Sequence, residues 1–162
     1  MQIHELTPSE CAEVLQRASV GRLACARDGQ PYIVPIHFSF DPEQACIYSF
    51  STVGQKISWM RDNPRVCMEI DDVTDKDHWL SVVVFGRYEE LPTSPGEPEP
   101  RQRAQDLFQQ RPEWWLPAAA KVDSRERDAF VVYRIQIERL TGRRADRGAR
   151  ASAAPRMRHH DL

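Results

Sequence analysis

No apolar run in this sequence approaches the roughly 20 residues that a membrane-spanning helix needs, so a helical span is not expected. Met1-Gln2-Ile3-His4-Glu5 has neither a cationic start nor an apolar core, and no secretory signal is read there. Cysteine is scarce and scattered. Cys11, Cys25, Cys46 and Cys67 each stand alone inside apolar patterns, with no C-x-x-C pair. That spacing argues against zinc sites and a disulfide framework, and for buried thiols in a reducing cytosol. The chain also lacks Gly-x-Ser-x-Gly, paired catalytic carboxylates and a set of metal ligands, so no nucleophile–base chemistry is written into it. Asp71-Asp72-Val73-Thr74-Asp75-Lys76-Asp77 lacks the Asp-x-Asp-x-Asp-Gly series and closing glutamate of a calcium loop, and reads as a solvated turn. His159-His160, at the end of the chain, reads as inert, and there is no internal repeat.

What is present fits one soluble domain: 162 residues, 41% apolar and 28% charged. The net charge of −2 conceals an asymmetry. Residues 143–162 carry six arginines against two aspartates, a net +4, which leaves −6 for the rest. We therefore expect a domain over residues 1–142 and a basic, disordered tail over 143–162, which has no apolar period. An acidic body and a tail without interleaved aromatics give nucleic-acid binding little support.

Along the domain, Thr7-Pro8-Ser9-Glu10 is a capping box, and Cys11, Val14, Leu15 and Ala18 follow at helical spacing, predicting a helix over 8–18. Asp28-Gly29 predicts a tight hairpin turn between Val20–Ala26 and a long strand, Tyr32–Phe40. Pro35 removes a ladder donor from that strand, so an edge or a bulge is expected there. Further strands are read at Ala45–Phe50, Val66–Ile70, His78–Glu89 and Ala129–Gly142, with Gly86 a bulge. Residues 92–100 are a proline-rich excursion, Arg101–Gln110 a polar helix, and Trp114-Trp115 a plug on the side of the core. Six strands with one leading helix and one short internal helix predict a mainly β, Greek-key barrel with flanking helices. Such a barrel fills with its own side chains, so a ligand would bind outside it.

The segment Ser51-Thr52-Val53-Gly54-Gln55-Lys56-Ile57-Ser58-Trp59-Met60-Arg61-Asp62-Asn63-Pro64 organises the rest. Ser51 and Thr52 offer capping hydroxyls, Gly54 admits close approach to the backbone, and Asn63-Pro64 stops the helix. Free N–H groups at the helix start plus the Lys56 cation form a candidate phosphate site. A capped helix with a solvated lysine would show the same pattern.

The order of these pieces resembles the pyridoxamine 5'-phosphate oxidase-like flavin-binding split barrels, in particular the nitroimidazole-reductase-like branch. The resemblance lies in Val20-Gly21-Arg22-Leu23-Ala24, Pro31 through Phe38, Ile47 through Ser51, Gly54-Gln55-Lys56-Ile57, Asn63 through Cys67, and Trp79 through Arg87. It implies a six-stranded split barrel that forms a homodimer holding FMN at the subunit interface. By position, Lys56, Gly54, Ser51 and Thr52 would hold the cofactor phosphate. Val34, Pro35, Ile36, His37 and Phe38 would run along the isoalloxazine ring, Ser49 and Phe50 would line the ribityl side, and Trp79 and Ser81 would complete the site, in many relatives from the partner chain. His37 is the candidate proton donor or substrate contact. Ser49 stands where many relatives have histidine or tyrosine, and Gln55 where others have a second cation. The implied function is an FMN-dependent oxidoreductase acting on a small molecule, with a nicotinamide nucleotide as possible electron donor. The family also contains users of the deazaflavin coenzyme, haem-binding members and non-catalytic modules, so those readings stay open.

Overall fold

The computed structural model describes residues 1–92, 99–110 and 130–146. The Trp114-Trp115 pair, most of the proline-rich excursion and the tail beyond Asp146 lie outside the described residues. Strand β1 (Gln2–Glu5) leads into helix α1 (Pro8–Arg17). Thr7 caps that helix as the sequence predicts. Its hydroxyl accepts the Glu10 N–H at 3.3 Å, and the Glu10 carboxylate accepts the Thr7 N–H at 2.8 Å. Cys11, Val14 and Leu15 form the buried face.

Strands β2 (Val20–Arg27) and β3 (Gln30–His37) form the expected hairpin. Asp28 and Gly29 have φ of 52° and 78°, so both central residues are left-handed, as the tightest two-residue turns require. The long strand expected through Phe40 breaks at Phe38, whose N–H turns aside to the Ser19 carbonyl at 3.0 Å. The chain then resumes as β4 (Ser39–Asp41). After it come β5 (Cys46–Thr52), α2 (Gln55–Asp62), β6 (Arg65–Asp75), β7 (His78–Glu90), α3 (Glu99–Gln109) and β8 (Phe130–Asp146).

The strands pair antiparallel in the order β3-β2-β6-β7-β8-β5-β4, with β1 added beside β8. The two ends of this path, β3 and β4, are continuous in the chain through Phe38, so the sheet curls back on itself as a split barrel. Pro35 lies on β3, an end strand of the path, where its missing donor costs no ladder bond. Eight strands replace the expected six, because β1 was not foreseen and the β3–β4 run is divided. The acidic segment is not a loop from Asp71 onward. It pairs with β7 as far as Asp75, beyond the apolar core, and only then turns. The strand runs past the expected domain end at residue 142, since Arg143–Ala145 pair with both β7 and β1 and Asp146 pairs with β1.

Leu23, Phe38, Ile47, Met68, Val82 and Ile135 are among the residues filling the barrel, and Ile57 and Met60 of α2 are fully buried with them. A second apolar cluster lies under α3, where Ala104 and Phe108 meet Cys46, Tyr48 and Val132. β5 is therefore buried on both faces from Cys46 to Ser49, which fits its apolar start, Cys46-Ile47-Tyr48. Asp41, fully buried, takes two hydrogen bonds from the Arg103 guanidinium at 2.8 and 3.1 Å and pins α3 to the β4–β5 turn. Gly86 marks the expected bulge: the β7–β8 register shifts between Phe85 and Gly86, and a Cβ there would stand 2.5 Å from the Gln136 carbonyl oxygen.

Candidate functional site

The segment between β5 and β6 holds the residues expected to form the phosphate site. β5 runs on through Thr52, so Ser51 and Thr52 are strand residues and do not cap α2 as expected. Gly54 occupies the N-cap position with no side-chain hydrogen bond to the helix, which leaves the first N–H groups of α2 without a capping acceptor. Gly54 has φ of −158°, extended backbone that any residue adopts, and a Cβ added there meets nothing within 4 Å. Neither strain nor internal packing demands glycine at this place. The open space before the helix start is available to a ligand.

Lys56, half-buried in the first turn of α2, donates to the Ser51 hydroxyl at 2.6 Å. Among the described residues no carboxylate lies within ion-pair distance of its amine. Burial pushes that amine below the usual lysine range. An incoming anion would supply the missing counter-charge, reinforced by the positive end of the helix. The Ser51 hydroxyl in turn donates to the Thr52 carbonyl at 3.0 Å. Thr52 itself is exposed beside this space.

Ser49, two residues earlier and on the same side of β5 as Ser51, is buried and donates its hydroxyl proton to the His37 carbonyl at 2.8 Å. It thus ties β5 to β3 across the split in the barrel. Ile36 and Phe38 point into the core, Val34 packs against it, and Pro35 and His37 are exposed on the outer face. The Phe50 ring turns toward α3, with ring centroids 5.4 Å from Phe108 and 6.0 Å from Phe130. Only its backbone is left for a ligand on the barrel side.

Trp79 and Ser81 stand apart from Lys56. They lie near the start of β7, whereas α2 is held at the other end of that strand, where Arg61 bonds Glu90. The nine residues from Ser81 to Glu90 span about 30 Å of strand. Trp79 and Ser81 line a surface concavity of about 470 Å³ together with Glu5, Thr141 and Arg143. One chain therefore joins Ser49, Ser51, His37 and Lys56, and leaves Trp79 and Ser81 elsewhere.

Two residues at or near the site went unforeseen. Tyr133, opposite Ser49 on β8, is fully buried; its hydroxyl faces Ser49 without a well-formed hydrogen bond among the described residues, and burial pushes its pKa up to about 12. Arg22, between β3 and β6, bonds Glu69 at 3.1 Å and also Asp71. The alternation of polar Arg22 with buried Gly21 and Leu23 marked it as outward, but its partners depend on the β2–β6 register. The described residues contain no group of three or more His, Cys, Asp or Glu placed to hold a metal, and no helix among them is long and apolar enough to cross a membrane.

Comparison with known proteins agrees with this architecture. The sequence model described as pyridoxamine 5'-phosphate oxidase matches residues 7–144. An uncharacterized protein of Rhizobium meliloti (strain 1021) is 38% identical over 151 residues, covering 91% of this chain and 99% of that one. The crystal structure of an FAD-binding protein from Mesorhizobium loti superposes with a TM-score of 0.74 at 41% identity, over 90% of this chain and all of the other. An FAD-binding protein from Mycobacterium smegmatis shares the fold, with a TM-score of 0.62 at 22% identity, over 88% of this chain and 97% of that one.

Proposed function

From a chain that belongs to the pyridoxamine 5'-phosphate oxidase family, we propose a flavin-dependent oxidoreductase that works as a homodimer on a small molecule. The observation that carries this reading is the anion-shaped vacancy of charge at the start of α2. A half-buried Lys56 with no carboxylate partner among the described residues, a helix start without a side-chain cap and an open Gly54 suit a flavin phosphate. Bound flavin supplies hydride and electron transfer. The chain's own residues bind and orient: Lys56, Ser51 and the α2 N–H groups take the phosphate, and the β3 backbone from Val34 to Phe38 lies beside the ring. Ser49 fixes the His37 carbonyl and so the path of β3 past that ring. His37, exposed at the end of β3, is placed to meet substrate or to hand on a proton. Trp79 and Ser81 reach the site from the second copy.

Gln55 leaves the site with one cation. FMN ends in a monoester that carries about −1.5 to −2 at pH 7, as phosphomonoesters do. Each phosphorus of the FAD diphosphate carries less charge. Lys56 with a helix end matches that lower charge at least as well, and the relative from Mesorhizobium loti is named as FAD-binding. The two flavins are therefore tested side by side. Purified protein is titrated with FMN and with FAD, following flavin fluorescence and the visible absorbance bands. Stoichiometric saturation with either, followed by bleaching on addition of a reduced nicotinamide nucleotide, supports the proposal. Failure of both flavins refutes it and moves the weight to the deazaflavin coenzyme, to haem or to a non-catalytic module.

A further inference from the structure

The split in the barrel sets its side chains along one line, and that line runs on past the phosphate site. Every pairing between β3 and β5 around the sheet is antiparallel, and the path takes five steps, so the two strands bordering the split run in opposite directions. The Ser49 hydroxyl stands level with His37, whose carbonyl it bonds. Ser51, two residues on and bonded to Lys56, therefore lies back toward the start of β3. Further back still is Tyr32, five residues and about 16 Å of strand before His37. Its ring meets that of Trp59 on α2, with centroids 5.6 Å apart and planes inclined at 60°. Lys56 and Trp59 are three residues apart in α2 and so share one flank of the helix, beside the buried Ile57 and Met60. The Arg27 guanidinium stands 5.6 Å from the Trp59 ring centre, tethered by Asp62 at 3.1 Å.

Trp59 and Tyr32 are both half-buried, and rings inclined to one another form an open corner, not a closed stack. Neither the Trp59 indole N–H nor the Tyr32 hydroxyl is engaged by another described residue. An aromatic corner one helical turn from a lysine without a carboxylate partner suits a nucleobase carried on a phosphate. We infer that Trp59 and Tyr32 form the subsite for the adenine of a dinucleotide flavin, which makes FAD, not FMN, the preferred cofactor. The groove then divides by chemistry. The β3 backbone near His37 takes the flavin ring, Lys56 and the start of α2 take the pyrophosphate, and Trp59 with Tyr32 takes the adenine. Arg27 braces the indole by its cation–π contact. FMN would stop at Lys56 and leave the corner empty. The inference rests on the flavin reading above and adds the far end of the ligand.

Base–aromatic stacking sets the expected size, a preference for FAD over FMN of roughly 5- to 150-fold. The full-length protein is titrated with each flavin by fluorescence, and ADP is added to the FAD complex as a competitor. Wild type is expected to bind FAD at least about fivefold more tightly than FMN, and ADP is expected to displace FAD. Trp59→Leu should bring FAD binding down to the FMN value while FMN binding stays within about twofold of wild type. Trp59→Tyr, which keeps a ring, should recover part of the preference. Equal dissociation constants for FAD and FMN in wild type overturn the subsite and leave the flavin reading standing. So does a Trp59→Leu variant that weakens both flavins alike, which would make Trp59 structural, or one that keeps the preference. Should Trp59→Leu fail to fold by circular dichroism, the wild-type comparison and the ADP competition decide, and an FAD complex that ADP does not displace overturns the subsite. Failure of both flavins to bind wild type overturns the flavin reading and the subsite together.

Discussion

Replacing Lys56 by methionine separates binding from folding, because the two effects carry opposite signs. The amine is half-buried, hydrogen-bonded only to Ser51, and lacks a carboxylate partner among the described residues. A charge-assisted hydrogen bond to a phosphate contributes about 1.5–3 kcal/mol. Its loss weakens flavin binding roughly 10- to 150-fold. Methionine keeps the length of the side chain, and Ser51 keeps its own bond to the Thr52 carbonyl. Without ligand, the variant also sheds the cost of holding a charge out of water, so its melting temperature should be unchanged or higher. The pH dependence follows. Since the folded pKa of Lys56 lies below its unfolded value, the native protein releases that proton more readily. Wild-type stability should therefore rise, relative to the variant, as pH climbs from the depressed folded value toward the unfolded pKa of about 10.4. Fluorescence titration gives the dissociation constant and scanning calorimetry the melting temperature. A dissociation constant within about twofold of wild type would remove Lys56 from the site. Weaker binding accompanied by a lower melting temperature of the ligand-free protein would show that Lys56 is structural.

Asp41→Ala should destabilise by about 2 kcal/mol, since the Arg103 pair and the N–H bonds from Glu43 and Gln44 are all lost. Arg103 holds the Asp41 carboxyl below the usual range, so its contribution is complete above the unfolded pKa of about 3.9 and fades as pH falls through the folded value. Urea midpoints measured down an acid series should converge for the two proteins. Gly86→Ala forces a Cβ to within 2.5 Å of the Gln136 carbonyl. A cost of about 1–3 kcal/mol, or roughly 3–10 °C in melting temperature, is expected by calorimetry. Tyr133→Phe removes a buried hydroxyl that makes no well-formed hydrogen bond among the described residues and should be neutral or stabilising by up to about 1 kcal/mol in urea unfolding.

Features fixed within a few residues were legible in the sequence. The Thr7–Glu10 capping box, the Asp28-Gly29 turn and the Gly86 bulge each depend on local backbone conformation, and each stands where it was read. At the candidate anion site, the start of α2 after Gly54 was legible, but Ser51 and Thr52 were read as caps of that helix, because nothing local shows that the β5 ladder with β8 continues to Thr52. Long-range pairing was the least legible. β1 and the Arg143–Asp146 end of β8 are mostly polar, and they form strands through backbone bonds to each other, with little apolar area buried to betray them. The Asp71–Asp75 end of β6 escaped for the same reason. The direction of the Phe50 ring could not be read without knowing that α3 covers β5.

The double burial of β5 makes its reading frame rigid. Odd positions from Ile47 to Ser51 face the barrel and the candidate anion site, while even positions from Cys46 to Phe50 face the α3 cluster. Removing one residue inside β5 would send the Ser49 hydroxyl under α3 and a large ring into the mouth of the barrel, damaging two interiors with one event. Most strands of the barrel have a solvent face where such a slip could be absorbed. From Cys46 to Ser49 β5 has none, so the hydroxyls beside Lys56 are held in phase by a helix on the far side of the sheet.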